Sequence, residues 1–342
     1  MNALKNLLEK LSKAKRLRRF KTIFDTLEGI FFGVSEVTPG APHIVDNLEI
    51  KRYMSFVIIA LIPSAAASIF FFGWQAVKII LVSYIAGGLV EVCFAIFMKR
   101  HIEEGFLVTG LIFPLVLPPT TPLWVVVVGV VFGVFFGKEI FGGTGRNIFN
   151  PALVGRLFIT IAFPQIMSAS WMAPFTDVIT SATPLAMMRT AGEMTPIKDL
   201  LLGLHGGSMG ELFRVGIIAG GIFLIASKVA NWRVPVSYLG TVAVFALIGN
   251  QLAPAVIAPP VFHLLGGGLL FGAFFMATDP VTSPFTKTGK LIFGILCGIL
   301  TVVIRSFSGY TEGVMFSIIF MNALSPLLDH LILKTKYRVA KQ

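Results

Sequence analysis

Long apolar runs separated by short polar segments constrain this chain more than any other feature of its sequence. Stretches of about 18 or more apolar residues are long enough to cross a lipid bilayer as helices. Only 13% of the 342 residues are charged, about half the fraction that soluble domains carry. The sequence therefore predicts an all-α integral membrane protein rather than a water-soluble domain.

Ten transmembrane helices are predicted, five in each half of the chain. They cover residues 53–72, 75–98, 104–117, 123–137, 151–163, 212–229, 235–253, 263–277, 290–305 and 313–333. The predicted units are a basic amino-terminal region (1–52), a first five-helix repeat (53–163), an external loop (164–211), a second five-helix repeat (212–333) and a tail (334–342).

Similar motifs in the two halves suggest an internal repeat. Phe113-Pro-Leu-Val-Leu-Pro-Pro-Thr-Thr-Pro122 resembles Phe275-Met-Ala-Thr-Asp-Pro-Val-Thr-Ser-Pro284, and Asn150-Pro-Ala-Leu resembles Asn322-Ala-Leu-Ser-Pro326. Because each half has an odd number of spans, the two copies would enter the membrane from opposite sides. This predicts two inverted repeats with interrupted helices, which usually frame a site near the membrane midplane.

The basic residues set the predicted orientation. Most of the 28 Lys and Arg fall on one side if both termini are cytoplasmic, which places the loop at 164–211 outside. This pattern argues against nucleic-acid binding as the reason for the net charge of +11. The Leu-interleaved stretch from Lys5 to Lys21 fits a helix lying on anionic membrane lipid, and a solvated basic tail fits equally well.

The two cysteines of the chain cannot bind an iron–sulfur cluster by themselves. Cys93 and Cys297 lie in separate apolar spans without CxxC spacing, and an iron–sulfur cluster typically takes four ligands. Both are predicted to be core residues, and the sequence predicts no metal site.

The external loop contains a motif that suggests a covalent modification. Its Thr and Ser residues would cap or bend the backbone in any turn. The order of residues is more particular, and it resembles the D-x-x-[S/T]-G-A-T signature of flavinylated membrane proteins, in which the last Thr is esterified to the phosphate of FMN. The resemblance implies Thr183 as the attachment site. The rest of the signature falls on Asp177, Thr180, Ser181 and Ala182, with Ser181 standing where the pattern usually has Gly.

A glycine-rich segment precedes the fifth span. In Gly142-Gly-Thr-Gly-Arg-Asn147-Ile-Phe-Asn150-Pro151, Asn150 is predicted to cap the helix and Pro151 to occupy its first position. The spacing does not match a Rossmann fingerprint. Asn147 offers both a donor and an acceptor to the edge of a flavin ring.

Several motifs together point to one family. They are Glu104-Gly-Phe-Leu-Val-Thr-Gly, Leu117-Pro-Pro-Thr, Gly137-Lys-Glu, Phe141-Gly-Gly-Thr-Gly-Arg-Asn, Asn150-Pro-Ala-Leu and Ala277-Thr-Asp-Pro. Over residues 39–330 the chain resembles the B subunit of the sodium-translocating NADH:quinone oxidoreductases, whose sister family is the D subunit of Rnf complexes. The long basic lead-in and the full 137–150 string favour the quinone reductase, whereas the shortened outer loop and Thr282-Ser-Pro-Phe-Thr-Lys are more similar to Rnf.

The resemblance implies a function and its residues. The chain would carry electrons from NADH through covalent FMN and non-covalent riboflavin to quinone, coupled to Na⁺ transport across a bacterial inner membrane. A flavin transferase would modify Thr183, and the other subunits of the complex would be its partners. By the same resemblance, Asn147 and Asn150 contact riboflavin, and Gly87 and Gly88 are linked to quinone binding.

Three carboxylates are implied in the ion pathway by their positions in the family: Glu91, Asp279 and Asp329. A charge at bilayer depth costs at least ~2.5–3.5 kcal/mol, so each needs a physical reason. The alternative reason is pairing with Lys, Arg or backbone amides, for which Lys287 is the nearest candidate to Asp279 and Lys334 to Asp329. Glu91 has no such neighbour in sequence.

Two alternative functions stay open at this stage. One is the D subunit of the Rnf ferredoxin:NAD⁺ complex, which differs in electron acceptor and partner subunits. The other is a flavin-free carrier or channel, because inverted repeats also suit such proteins. A carrier would be colourless after purification, whereas a flavoprotein subunit would be yellow.

The Gly207-Ser-Met-Gly-Glu211 sequence resembles a turn that lies in the external region of the family, near the FMN. An equally good interpretation is a helix start that Ser208 caps.

Overall fold

The computed structural model describes residues 50–98, 105–169, 171–175, 182–254 and 256–337. The regular elements within these ranges are helices. The basic amino-terminal stretch, the signature residues Asp177, Thr180 and Ser181, and the last five residues lie outside the described residues.

The helices of the first half and the external loop are numbered here in chain order. They are α1 (Ile50–Phe72), α2 (Trp74–Met98), α3 (Gly105–Leu115), α4 (Leu123–Gly137), α5 (Pro151–Ala162), α6 (Pro164–Ala169), α7 (Pro184–Ala191) and α8 (Ile197–Leu202). Short 3₁₀ turns follow α4 at Glu139–Phe141 and α8 at Met209–Glu211.

The second half continues the numbering. Its helices are α9 (Arg214–Ala226), α10 (Arg233–Leu252), α11 (Pro260–Leu265), α12 (Leu269–Phe271), α13 (Lys287–Phe307) and α14 (Val314–Tyr337). A π-helical turn at Gly272–Met276 continues directly from α12.

Six helices in the described part of the chain are long and apolar enough to cross a membrane: α1, α2, α4 with its 3₁₀ extension, α10, α13 and α14. They correspond to six of the ten predicted spans. Three other predicted spans are apolar helices of only 11, 12 and 13 residues, namely α3, α5 and α9. The predicted span at 263–277 is broken into α11, α12 and the π-helical turn.

Local sequence explains where the helices break. Pro114 lies in the last turn of α3, and Pro118 follows it, so the helix cannot continue. In the second similar motif, the π-helical turn ends at Met276 and no helix resumes before Lys287. A further break at Gly266–Gly268 was not predicted, and there Gly267 has φ +62°, a conformation that favours glycine.

The helices of the two halves pack in the same order. In the first half, α4 packs against both α2 and α5. In the second half, α13 packs against both α10 and α14. Contacts of α1 with α9 and of α5 with α14 join the halves around one apolar core.

Close packing of α4 on α5 depends on small residues. A Cβ on Gly133 would lie 2.5 Å from the carbonyl oxygen of Pro151 and 3.0 Å from the Cα of Gly155. Backbone atoms at such distances cannot move aside as a flexible side chain can. The two helices therefore approach closely only because glycine occupies this position.

Gly133→Ala is expected to destabilise the protein by roughly 1–3 kcal/mol, because the added methyl forces α4 and α5 apart. Gly240 in α10 is the matched control, since a Cβ there meets nothing within 4 Å. Gly240→Ala should stabilise by up to ~1 kcal/mol through helix propensity. Thermal unfolding of both variants in the same detergent checks the prediction, and shifts of the same sign would contradict it.

Candidate flavin cleft and attachment site

A cleft opens between the two halves of the protein. It is narrow, with a cavity volume of about 70 Å³. The polar residues of its wall come from five separate segments: Tyr53, Thr109, Lys138, Thr144, Asn147, Asn150, Thr278 and Asp279. We call this feature the Asn147 cleft.

The glycine-rich loop shapes one wall of the Asn147 cleft. Gly142, Gly143 and Gly145 have φ values of +113°, +97° and +86°, so three of four consecutive residues adopt a conformation that favours glycine. These turns bring Thr144 and Asn147 to the cleft. The glycines of Gly-Gly-Thr-Gly therefore permit the backbone geometry of this loop.

Asn147 and Asn150, to which the family resemblance assigns riboflavin binding, lie together on this wall and are both buried. The Asn150 side chain caps α5 by accepting hydrogen bonds from the backbone N–H groups of Ala152 (3.0 Å) and Leu153 (3.4 Å). The predicted helix start is therefore confirmed, with Pro151 in the first position. Asn147 donates through Nδ2 to the carbonyl oxygen of Phe149 at 3.0 Å.

Lys138 is a residue of the cleft that sequence reasoning missed. Its ammonium lies 2.8 Å from Glu91 Oε1 in an ion pair whose side chains are only 3% and 5% exposed. The Gly137-Lys-Glu motif indicated the family, but a lysine that follows an apolar span is usually a solvated charge at the membrane surface. Glu91 itself does not line the cleft.

The Gly87–Gly88 pair, predicted to bind quinone, lies on α2 behind the cleft wall. A Cβ on Gly87 would fall 2.5 Å from the Phe106 ring and 2.9 Å from Val130. A Cβ on Gly88 would lie 3.4 Å from the same ring. Neither glycine lines the Asn147 cleft, and both make room for the start of α3.

The other two predicted ion-pathway carboxylates are held by backbone and hydroxyl donors. Asp279, in the cleft wall, accepts from the Val281 N–H at 3.1 Å. Asp329 accepts from the N–H groups of Phe285 and Thr286, and from the Thr286 hydroxyl at 2.6 Å. Within the described ranges, neither carboxylate forms an ion pair with a lysine. Pairing with backbone amides is therefore confirmed, whereas the predicted pairing with Lys287 and Lys334 is wrong.

Thr183 begins α7. Its Oγ1 accepts a hydrogen bond from the Ala186 N–H at 3.3 Å, and Pro184 occupies the first helical position. Thr183 is partly exposed and the preceding Ala182 is exposed. Leu185, in the first turn of the same helix, packs toward the Gly266–Gly267 break. The candidate attachment hydroxyl therefore lies at a surface, at the start of a short helix.

The turn before α9 contains a buried polar cluster. Ser208 donates through its N–H and its hydroxyl to the two carboxylate oxygens of Glu211, at 2.8 and 2.7 Å, which confirms Ser208 as the start of this turn. Burial, followed by the charge of Glu312, raises the pKa of Glu211 above its usual value.

His205 accepts from a buried arginine in the same cluster. Arg214 Nη1 lies 2.8 Å from His205 Nε2, and a guanidinium can only donate, so that nitrogen is unprotonated. The other ring nitrogen then donates to the Gly206 carbonyl at 3.0 Å. Burial, with a contribution from the Arg214 charge, lowers the pKa of His205 to about 4.

Acidification is therefore expected to destabilise the protein. The pKa of His205 in the folded protein lies below its value of about 6.5 in an unfolded chain, so its stabilising effect is lost as the pH falls from 6.5 towards 4. The loss amounts to about 2 kcal/mol at pH 5. Thermal unfolding between pH 7 and 5 should show a weaker pH dependence for His205→Gln, and an unchanged one for a control at the exposed His330.

Comparison with known proteins identifies the family. The sequence profile of the NQR2, RnfD, RnfE family matches residues 37–338. The chain belongs to this family. It is 33% identical over 407 aligned residues to the B subunit of the Na⁺-translocating NADH-quinone reductase of Yersinia pestis, covering 99% of this chain and 98% of that protein.

Two further relatives show the breadth of the NQR2/RnfD/RnfE family. The corresponding B subunit of Ectopseudomonas mendocina is 33% identical over 386 residues, with 96% of each chain covered. The D subunit of the Na⁺-translocating ferredoxin:NAD⁺ oxidoreductase complex of Acetobacterium woodii is 37% identical over 308 residues, covering 88% of this chain and 95% of that one. The relatives are thus subunits of two kinds of Na⁺-translocating oxidoreductase.

Within this family member, no group of three or more His, Cys, Asp and Glu residues suited to a metal ion occurs in the described part of the chain. Cys297 is buried, as expected, whereas Cys93 is exposed on the surface of α2. An apolar span presents one face to lipid, which explains how a cysteine in a membrane helix can lie outside the core.

Proposed function

We propose that the chain is the membrane subunit of an ion-pumping respiratory complex in which electrons pass from NADH through covalent FMN and riboflavin to quinone, coupled to Na⁺ translocation. The names of the relatives support the class of complex. The observation that carries the flavin assignment is the Asn147 cleft, where two amides predicted to bind riboflavin lie in one wall.

The residues of the cleft fit a flavin. Apolar walls from α1, α3 and the π-helical turn suit a flat ring, and Asn147, Asn150 and Thr144 suit the heteroatoms of its edge. A bound flavin would supply electron exchange at a potential that its protein contacts tune.

The hydroxyl of Thr183 fits an attachment point. It lies at the start of a helix, where backbone N–H groups and the helix dipole favour a phosphate. Because α7 is short, its N–H groups and dipole would stabilise the phosphate of an attached FMN but would not hold it without the covalent bond. We expect a flavin transferase to form the phosphoester on the exposed outer side.

The two flavin positions would lie on opposite sides of the membrane. α5 starts at the Asn147 cleft, and the chain reaches Thr183 only after the end of α5. The matching order of packing in the two halves supports the inverted five-helix repeats proposed from the sequence. With both termini in the cytoplasm of a bacterial cell, the cleft would face inward and Thr183 outward.

The remaining assignments complete the proposal. Quinone would be reduced close to Gly87 and Gly88, and Na⁺ would pass along a route that includes Glu91, Asp279 and Asp329. NADH oxidation is assigned to partner subunits, because the glycine-rich segment of this chain does not match a Rossmann fingerprint. Cys93 and Cys297, in separate helices, cannot bind an iron–sulfur cluster by themselves either.

A second candidate is the D subunit of an Rnf complex, for which the 37% identity to the Acetobacterium woodii protein is the supporting observation. The two candidates differ in the subunits that co-purify and in whether quinone is the acceptor. Sodium-stimulated quinone reduction by the purified complex supports the first candidate, and reduction of NAD⁺ by ferredoxin without quinone reduction supports the second.

The experiment that tests the flavin assignment is mass spectrometry of the intact chain from the purified complex. The proposal predicts a chain that carries one FMN and, in addition, a flavin that is released on denaturation. A colourless preparation of unmodified mass would favour a carrier or channel and reject the proposal.

A further inference from the structure

The helix that starts at Thr183 packs on the second half of the protein. Two side chains of α7, Leu185 and Met188, lie against a small apolar cluster that is distinct from the main core. The buried members of this cluster come from α8, from α11 and from the segment before α11: Leu200, Phe262 and Ala258. α7 therefore has a defined docking site on the rest of the chain.

Leu185 also reaches the break between α11 and α12. A Cβ on Gly267 would lie 2.7 Å from Leu185 Cδ1, and a Cβ on Gly266 would lie 3.3 Å from Leu185 Cδ2. Because both glycines lack a side chain, the space beside the break is open to a side chain from another helix. Leu185 of α7 fills that space.

Arg305 holds one side of this break in place. The arginine is on α13, and its side chain is almost fully buried. It donates to the carbonyl oxygens of His263 at 2.7 Å and of Gly266 at 3.0 Å, which end α11. It also pairs with Glu312 at 2.9 Å. The free carbonyls of a broken helix are thus bonded by a buried guanidinium.

Glu312 bonds the other side of the break, from the loop between α13 and α14. Its carboxylate accepts from the N–H of Gly268 at 3.0 Å and from the N–H of Val314 at 3.1 Å. Arg214 of α9 adds a hydrogen bond to the carbonyl oxygen of Leu265 at 2.6 Å. Hydrogen bonds to charged groups are roughly twice as strong as neutral ones. The break is therefore a firmly bonded surface for α7.

A polar contact joins the other end of α7 to the same loop. Arg189 Nη1, in the last turn of the helix, donates to the carbonyl oxygen of Tyr310 at 3.2 Å. Leu185 and Arg189 are four residues apart, so they lie on one face of the helix. That face contacts both the glycine break and the loop that contains Glu312.

We propose that Leu185 and Arg189 are positioning residues for the flavin on Thr183, because they dock α7 on the Gly266–Gly268 break and on the loop at Tyr310. This inference rests on the proposed attachment of FMN to Thr183. The docked helix fixes where the attached flavin lies relative to the rest of the chain. Attachment itself needs only the hydroxyl, whereas electron transfer from the attached flavin depends on its position, since small displacements of reacting groups change rates strongly.

The test uses the complete complex with Leu185→Ala, Arg189→Ala and Arg189→Lys. Intact mass gives the FMN on each chain, and rapid mixing with NADH gives the rate at which electrons pass from the FMN to the riboflavin. All three variants should carry FMN at the wild-type level. Electron transfer should slow about tenfold in Leu185→Ala and about threefold in Arg189→Ala. Arg189→Lys keeps a donor for the Tyr310 carbonyl, so it should restore most of the rate.

Two matched controls come from the neighbouring helix α8. Leu202→Ala and Lys198→Ala shorten an exposed leucine and an exposed lysine of the same external region, and both should transfer electrons at the wild-type rate. If Leu185→Ala fails to assemble, the Arg189 variants still decide the question, because Arg189 is exposed and its loss opens no cavity.

Three results are distinguishable from the expected one. Leu185→Ala and Arg189→Ala with full FMN and wild-type electron transfer would show that docking does not position the flavin. Loss of FMN in these variants would assign the two residues to the attachment reaction and overturn the positioning role. A wild-type chain without FMN on Thr183 would reject the proposed function itself.

Discussion

Thr183→Ala is expected to abolish covalent flavin on this chain while the subunit still assembles into its complex. Alanine has no hydroxyl to form a phosphoester, so the loss should be complete. The substitution also removes the hydrogen bond from the Ala186 N–H, and loss of a helix cap costs about 1 kcal/mol. Because α7 has only eight residues and lies at the surface, this cost should not prevent folding.

Fluorescence of the denatured subunit in a gel, together with its intact mass, measures the result. Thr183→Ser keeps both the hydroxyl and the helix cap. This variant therefore tests whether the transferase requires threonine. Thr190→Ala is the matched control, because that hydroxyl lies in the same helix and donates to the Ala186 carbonyl at 2.9 Å. Wild-type fluorescence in Thr183→Ala would reject the attachment site.

Features that depend on nearby residues were predictable from the sequence. Asn150 and Pro151 start α5 as expected, because a side-chain cap and a fixed φ act within one helical turn. The breaks after α3 and after the π-helical turn also fall where the two similar motifs place proline. Six long helices follow from apolar length alone.

Features that depend on distant residues were not predictable in this way. Nothing in the local sequence of Glu91 indicates that Lys138 lies against it. The lysine partners suggested for Asp279 and Asp329 were chosen by closeness in sequence, whereas the fold supplies backbone N–H groups instead. A buried charge takes its partner from whichever helix packs beside it, and single-sequence reasoning does not contain that information.

The short helices show a further limit of predicting membrane spans from hydropathy. Hydropathy predicted spans at 104–117, 151–163 and 212–229, but α3, α5 and α9 have 11, 12 and 13 residues. A helix of about 20 residues is needed to cross the apolar part of a bilayer. Short helices are tolerated where neighbouring protein satisfies the free backbone groups, and this is where the Asn147 cleft forms.

Asn147→Leu is expected to remove the non-covalent flavin and to leave the FMN on Thr183 in place. Leucine has the same branched shape as asparagine but neither donates nor accepts hydrogen bonds. An unmade hydrogen bond in a buried site costs about 1–3 kcal/mol, which corresponds to a riboflavin affinity roughly 10–100-fold lower. Only 7% of Asn147 is exposed, so water cannot replace the lost contact.

Two variants separate flavin binding from folding. Asn150→Ser removes the amide but keeps a helix cap, so its effect on riboflavin reports the amide of that residue alone. Asn322→Leu is the matched control, because that amide is fully buried in α14, outside the cleft, and has no hydrogen-bond partner among the described residues. We expect Asn322→Leu to retain riboflavin. Release of flavin from denatured complexes, measured beside in-gel fluorescence of the Thr183 adduct, checks all three, and full riboflavin in Asn147→Leu would show that the flavin lies elsewhere.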